Sequence, residues 1–189
     1  MKLIAITPDY LTVEDLISFF RLLEENGASH LYVRSPFILN SSRLKDVLLQ
    51  LLNRNIIPVI PYEKWLEFEN PAFICHFKEH EKSKIKDFRE KYPEQAFSFS
   101  AHGISLAEQV LENGAAFVFL SPVFPPYSKK DYNLKPLSFE EISYIVDRFG
   151  ERVVLLGGID FERLKELKLR LVKDFSVAGI TMFFGRKDF

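Results

Sequence analysis

"SLAEQVLENGAAFVFLSPVFPPYSKK", residues 105–130, decides the fold. Its first ten residues open on Ser105, carry an apolar stripe at helical spacing and stop at Gly114, the pattern of a capped amphipathic helix. Ala116-Phe117-Val118-Phe119-Leu120 is then a continuous apolar run, as a strand covered on both faces requires. Prolines 122, 125 and 126, with Ser121, Ser128, Lys129 and Lys130, follow as a stiff cationic loop. Helix, buried strand and polar loop make one unit of a βα alternation.

The unit recurs in both directions. Strands are expected at Leu3 to Ile6, Ser29 to Val33, Ile57 to Ile60, Ala72 to Cys75, Ala96 to Phe99, Ala116 to Leu120, Val153 to Leu156 and Asp174 to Val177. Between them, "TVEDLISFFRLLEENG" (12–27) has a Thr-x-x-Asp cap, a stripe of Leu16, Phe19, Phe20 and Leu23, and a closing Gly27. "NSSRLKDVLLQLLNRN" (40–55) repeats the formula, a short helix is expected at Tyr62 to Phe68, and the charged "EHEKSKIKDFREKYPE" (79–94) reads as a solvated outer helix. Eight such units predict an α/β protein of the (β/α)8 TIM-barrel class, one domain over residues 1–189. The chain is compact for that fold, whose usual minimum is about 200 residues. "ITMFFGRKDF" (180–189) therefore reads as a short or clipped C-terminal helix. An open, doubly wound sheet is the alternative, since periodicity does not prove closure.

Composition narrows the function. With 47% hydrophobic and 27% charged residues the chain is an ordinary globular one, and a net charge of −1 removes the basic surface that a nucleic acid or an anionic membrane would call for. The single cysteine, Cys75, leaves neither an intrachain disulfide nor a cysteine-held zinc, and points to a reducing, cytoplasmic compartment. The start "MKLIAITPDYLTVEDL" has too short an apolar stretch for a signal peptide, and no run approaches membrane-spanning length.

In a barrel the ligand site lies at the carboxyl ends of the strands. Polar residues collect there: Thr7 and Asp9 after the first expected strand, Arg34 after the second, Tyr62, Glu63 and Lys64 after the third, His76 and Lys78 after the fourth, Ser100 and His102 after the fifth. Ser121 and the cationic loop follow the sixth, Gly157 and Gly158 the seventh, Gly179 and Thr181 the eighth. Glycines let a backbone approach an anion closely, and loops of this kind after the last two strands form the phosphate cradle of many barrels. A small-molecule phosphate is the expected ligand, with Ser121 and Ser128 as hydroxyl donors and Lys129 as a charge. His30 and His80 read as surface residues, and Cys75 as a small buried hydrophobe.

The stretch "FSFSAHGISLAEQVLENGAAFVFLSPVFPPYSKK" (97–130), followed by "LLGGI" (155–159) and "AGIT" (178–181), resembles the thiamine-phosphate synthase and TenI-like family. "LIAIT" (3–7) and "GASHLYVR" (27–34) extend the resemblance more loosely. It implies a barrel of thiamine biosynthesis that binds a thiazole phosphate through Ser128, Gly157, Gly158, Gly179 and Thr181. Lys129 matches the family's loop lysine, Arg34 its strand-two arginine, and Ser100 with His102 its Ser-x-His; His102, Arg34 and Lys129 are the candidate catalytic residues.

The departures lie where the synthases bind a pyrimidine diphosphate with magnesium. Tyr32 and Pro36 replace the family's Gln and Lys, Pro61-Tyr62 replaces Asn-Asp, and no aspartate follows His76, although Glu79 and Glu81 are close. The usual carboxylate ligands of Mg2+ are missing, so Mg2+ stands as a possible cofactor without assigned ligands, and no metal residue is named. The histidine on which the family's thiazole tautomerases depend is replaced by Pro122, leaving His102 or His76 for that role. Three readings stay open: a transferase of the synthase type, a metal-independent tautomerase-like isomerase, and a phosphate-binding protein without catalysis. Family relatives are often dimers, and a clipped last helix leaves room for a homodimer.

Overall fold

The computed structural model describes residues 1–125 and 135–185. In chain order the elements are β1 (Leu3–Ile6), α1 (Val13–Glu25), β2 (His30–Tyr32), α2 (Pro36–Leu39), α3 (Leu44–Leu52), β3 (Ile57–Pro61), α4 (Tyr62–Phe68), β4 (Ile74–Phe77) and α5 (Lys84–Lys91). They continue with β5 (Phe97–Ala101), α6 (Ile104–Glu112), β6 (Phe117–Leu120), α7 (Phe139–Phe149), β7 (Val153–Leu155), α8 (Phe161–Arg170), β8 (Ser176–Gly179) and α9 (Thr181–Phe184). All eight strands are parallel, each pairs with its sequence neighbour, and β8 closes on β1, so the sheet is a TIM barrel rather than an open sheet.

Local chemistry sets the helix starts. Thr12 Oγ1 accepts the Asp15 N–H at 3.2 Å while the Asp15 carboxylate accepts the Thr12 N–H at 3.2 Å, and Ser138 with Glu141 does the same for α7. The last helix is short, four residues, but Phe183 and Phe184 are buried, with the Phe184 ring 5.0 Å from Phe19 of α1. No helix among the described residues is long and apolar enough to cross a membrane.

Two apolar layers result. The larger lies between the strands and the ring of helices, and Trp65 and Cys75 belong to it. The smaller fills the barrel: Ile4, Ile6, Tyr32, Val59, Ile74, Phe117, Phe119, Val154 and Ala178. Phe117 and Phe119 of β6 reach across to β2, where Phe117 meets His30 edge-on at 5.6 Å and Phe119 stacks on Tyr32 at 5.7 Å. His30 is therefore not a surface residue: it is 6% exposed at the start of β2, its Nδ1 bonded to the Ser29 hydroxyl at 2.8 Å. Burial, helped by the Lys2 charge, pushes its pKa down to about 4. His80 is exposed.

Candidate functional site

At the carboxyl end of β1 and β2 the chain is tied together by Thr7. Its buried Oγ1 accepts the backbone N–H groups of Arg34 at 2.9 Å and Ser35 at 3.0 Å, so Thr7 fixes where Arg34 begins rather than facing a ligand. The Arg34 guanidinium then meets Asp9 through two bonds of 2.7 Å each, Nε to Oδ1 and Nη2 to Oδ2. This bidentate pair stands in solvent on the rim.

The next three strands hold a second polar group. α4 begins directly at the end of β3, so Tyr62, Glu63 and Lys64 turn outward. The Tyr62 ring stacks on Phe77 at 4.8 Å, Glu63 lies 3.8 Å from the Lys84 ammonium, and Lys64 pairs with Glu67 at 2.7 Å. His76 is inside β4 rather than after it, and is buried. Its Nδ1 lies 2.9 Å from the Ser98 hydroxyl and its Nε2 3.0 Å from that of Ser100, both on β5. Burial, with the Lys78 charge in second place, lowers its pKa to about 3, so the ring is neutral at ordinary pH. Ser100 is half-buried at the end of β5. His102 stands on the rim beyond it, its Nδ1 2.7 Å from Glu79 Oε2, which also accepts the His102 N–H at 3.2 Å.

The loops after β6, β7 and β8 pack on one another. The Ser121–Pro122 peptide bond is cis, the Val123 N–H donates to Leu156 O at 3.0 Å, and the Phe124 N–H donates to Gly157 O at 3.1 Å. Gly157 and Gly158 have φ of +104° and +61°, where a side chain is strained. A Cβ on Gly157 would lie 3.1 Å from Pro122 Cα, and one on Gly158 only 2.6 Å from Pro125 O. The glycines thus let the β6 loop lie flat on the β7 loop. Arg163 of α8 pins the same place: its guanidinium donates to Gly158 O and lies 4.8 Å from the Phe124 ring centroid. Gly179 closes β8, and Thr181, half-buried, opens α9. Ser128 and Lys129 lie outside the described residues.

Of the expected site residues, the fold therefore brings Arg34, Ser100, His102, Ser121, Gly157, Gly158, Gly179 and Thr181 to one end of the barrel. Arg34 is there in an ion pair with Asp9, and His102 in a hydrogen-bonded contact with Glu79. Sequence reasoning missed Ser98 and Arg163. The alternation Ser98-Phe99-Ser100 was the available signal, because residues two apart in a strand share a face.

A magnesium ion needs several converging oxygens in a near-octahedral set. The described carboxylates around β1 to β5 do not offer one. Asp9 is taken by Arg34, Glu79 by His102, and Glu81 is turned inward to accept the Lys78 N–H at 2.9 Å and the Lys84 ammonium at 3.0 Å. Among the described residues no group of three or more His, Cys, Asp or Glu converges to hold a metal. The described donor set, as it is paired, is not a near-octahedral oxygen site.

The class follows from the fold: a parallel (β/α)8 barrel with its polar residues at the carboxyl end. Solved barrels share it, among them thiamine phosphate pyrophosphorylase from Pyrococcus furiosus (TM-score 0.74, 19% identity, 99% of this chain and 89% of that one). Another is 3-hexulose-6-phosphate synthase from Salmonella typhimurium (TM-score 0.66, 14% identity, 100% and 92%). At such identities the likeness is one of fold. The family model described as "Thiamine monophosphate synthase" matches residues 71–182, more than half of the chain, and the chain belongs to that family. "Putative thiamine-phosphate synthase 2" of Aquifex aeolicus (strain VF5) is 30% identical over 91 residues, 48% of this chain and 47% of that protein. The match thus spans about half the length of this curated relative.

Proposed function

We propose that this chain is a thiamine-phosphate synthase/TenI-like protein of thiamine biosynthesis that binds a thiazole phosphate at the carboxyl end of the barrel. The observation that carries the reading is the family match over residues 71–182, which runs from before β4 into α9 and so contains the loops that pack together after β6, β7 and β8. In this reading Ser100 and Ser121 supply hydroxyl donors, and Gly179 and Thr181 border the phosphate. Gly157 and Gly158 shape the cradle by allowing the two loops to touch. Ser128 and Lys129 complete the set. In this reading the protein binds a small phosphate ligand in the cytoplasm, without nucleic acid or membrane, with or without catalysis, and a homodimer is the possible assembly.

The synthase reaction would need a pyrimidine diphosphate beside the thiazole, with its charge met by the rim of β1 to β5. Arg34 is the cation placed for that, and the carboxylates there are already engaged. One-substrate chemistry is therefore favoured over transfer. Within it, a tautomerase-like reading draws on the His102–Glu79 contact of 2.7 Å, since a carboxylate that orients an imidazole is what a general base uses.

Calorimetry decides among these. Thiazole phosphate is titrated first, then the pyrimidine diphosphate with and without magnesium. Thiazole phosphate binding alone supports the reading; magnesium-dependent binding of the diphosphate restores the synthase; binding of neither removes the proposal. Proton exchange on bound thiazole phosphate that is lost in His102→Ala, with binding kept, identifies His102 as the base, and an unaffected rate dismisses it.

A further inference from the structure

His76 is the one described histidine with hydroxyl partners on both ring nitrogens. The ring is held in place by Tyr32, with centroids 4.5 Å apart, and by Phe119 at 5.3 Å. Ser98 is fully buried, and among the described residues its hydroxyl has His76 Nδ1 as its hydrogen-bond partner. That is enough to orient the whole chain of bonds. A serine hydroxyl has one proton to give and a neutral imidazole has one N–H. If Nδ1 carried the proton, the Ser98 O–H would be left in the barrel interior without an acceptor, at a cost of about 1–3 kcal/mol. Ser98 therefore donates to Nδ1, Nε2 carries the imidazole proton, and Nε2–H donates to Ser100 Oγ. Ser100, half-buried at the end of β5, takes that N–H on one of its two oxygen lone pairs and has its own O–H left to donate.

We propose that His76 is a positioning residue of the site: locked as the neutral Nε2–H tautomer by Ser98, it orients Ser100 and leaves that hydroxyl's own O–H to donate to an acceptor atom of the ligand. This rests on the reading that Ser100 faces the ligand. It differs from a catalytic role for His76, because a ring with both nitrogens engaged and no solvent access exchanges no proton with substrate. Its surroundings keep it neutral. Burial holds the ring near pKa 3, and the facing Tyr32 phenol is itself pushed up to about 12, chiefly by burial, so it stays protonated. The other charge acting on the ring is Lys78, which also disfavours a second proton.

The test has two independent arms. Two-bond 15N–1H spectra of histidine-labelled protein read each imidazole's tautomer, His76 being assigned through its shift in Ser98→Ala. A neutral Nε2–H form from pH 5 to pH 8 is expected; an Nδ1–H form, or titration within that range, overturns the inference. The second arm measures thiazole phosphate binding by calorimetry in His76→Gln, whose amide reaches the Nε2 position, and His76→Asn, whose amide reaches only Nδ1. Gln is expected to hold affinity within ~3-fold and Asn to lose ~10-fold or more, since one hydrogen bond to the ligand is at stake. Equal losses in the two variants mean a merely structural histidine. Wild-type protein that does not bind thiazole phosphate sinks the site reading and the ligand half of the inference together, while the tautomer spectrum still decides the bond directions.

Discussion

Arg34, at the end of β2, and Asp9, in the loop after β1, face each other through two parallel hydrogen bonds of 2.7 Å, with both side chains in solvent. Exposed ion pairs contribute at most about 1 kcal/mol to stability, so the pair is better understood as a holder of charge than as a strut. Asp9→Ala should leave the urea midpoint within the equivalent of about 1 kcal/mol. It should also free the guanidinium, raising affinity for inorganic pyrophosphate roughly 5-fold at low salt, the effect vanishing when Arg34→Ala is added. Pyrophosphate binding that is indifferent to both changes would place Arg34 outside any anion site.

Gly158 is where the two loops are most crowded. At φ +61° an alanine is strained, and its Cβ would stand 2.6 Å from the Pro125 carbonyl oxygen and 2.7 Å from the Arg163 guanidinium. Gly158→Ala should cost about 2 kcal/mol or more in urea unfolding and lift the β6 loop off its neighbour. Gly103, the N-cap of α6, has nothing within 4 Å of a Cβ, so Gly103→Ala should cost less than about 1 kcal/mol, a capping preference only. Equal costs would show that the loops part easily.

Arg163 should matter to the same loop in a way its charge alone does not explain. The planar guanidinium donates to Gly158 O while covering the Phe124 ring, a combination that an ammonium cannot reproduce. In Arg163→Lys, hydrogen exchange at the Val123 and Phe124 amides, which bond to Leu156 O and Gly157 O, should quicken several-fold while amides of β1 to β5 stay unchanged. Uniform quickening would indicate global destabilisation instead.

The barrel was legible in the sequence because strands covered on both faces are written as apolar runs, and helices as capped stripes. The strand ends were less legible, and they govern the site. An apolar run stops at Cys75, yet β4 continues through His76 and Phe77, because the barrel interior at that level is polar and His76 finds Ser98 and Ser100 there. Likewise Ser100 and Ala101 still belong to β5. The same blindness put His30 on the surface: a histidine beside "LYV" is read as polar, and only the phenylalanines of β6, distant in sequence, make its place an interior one. Pairing is the other gap. Asp9 and Arg34 are 25 residues apart and Glu79 and His102 are 23 apart, so nothing local announces that these groups meet.

The two buried histidines make stability depend on pH in a defined direction. Folding lowers His30 from 6.5 to about 4 and His76 from 6.5 to about 3, in each case mainly by burial. Below pH 6.5 the unfolded chain takes up protons at both rings that the native protein refuses, so acid favours unfolding and stability rises with pH from about 4 up to about 7. Each ring adds up to about 1.4 kcal/mol per pH unit once its unfolded form is protonated. Urea unfolding at pH 7, 6 and 5, a window in which ordinary carboxylates stay largely ionised, should show a steepening loss, and His76→Gln should remove part of the slope. A stability that is flat from pH 7 to pH 5 would mean that both imidazoles accept protons in the folded barrel, which their hydroxyl partners and burial argue against.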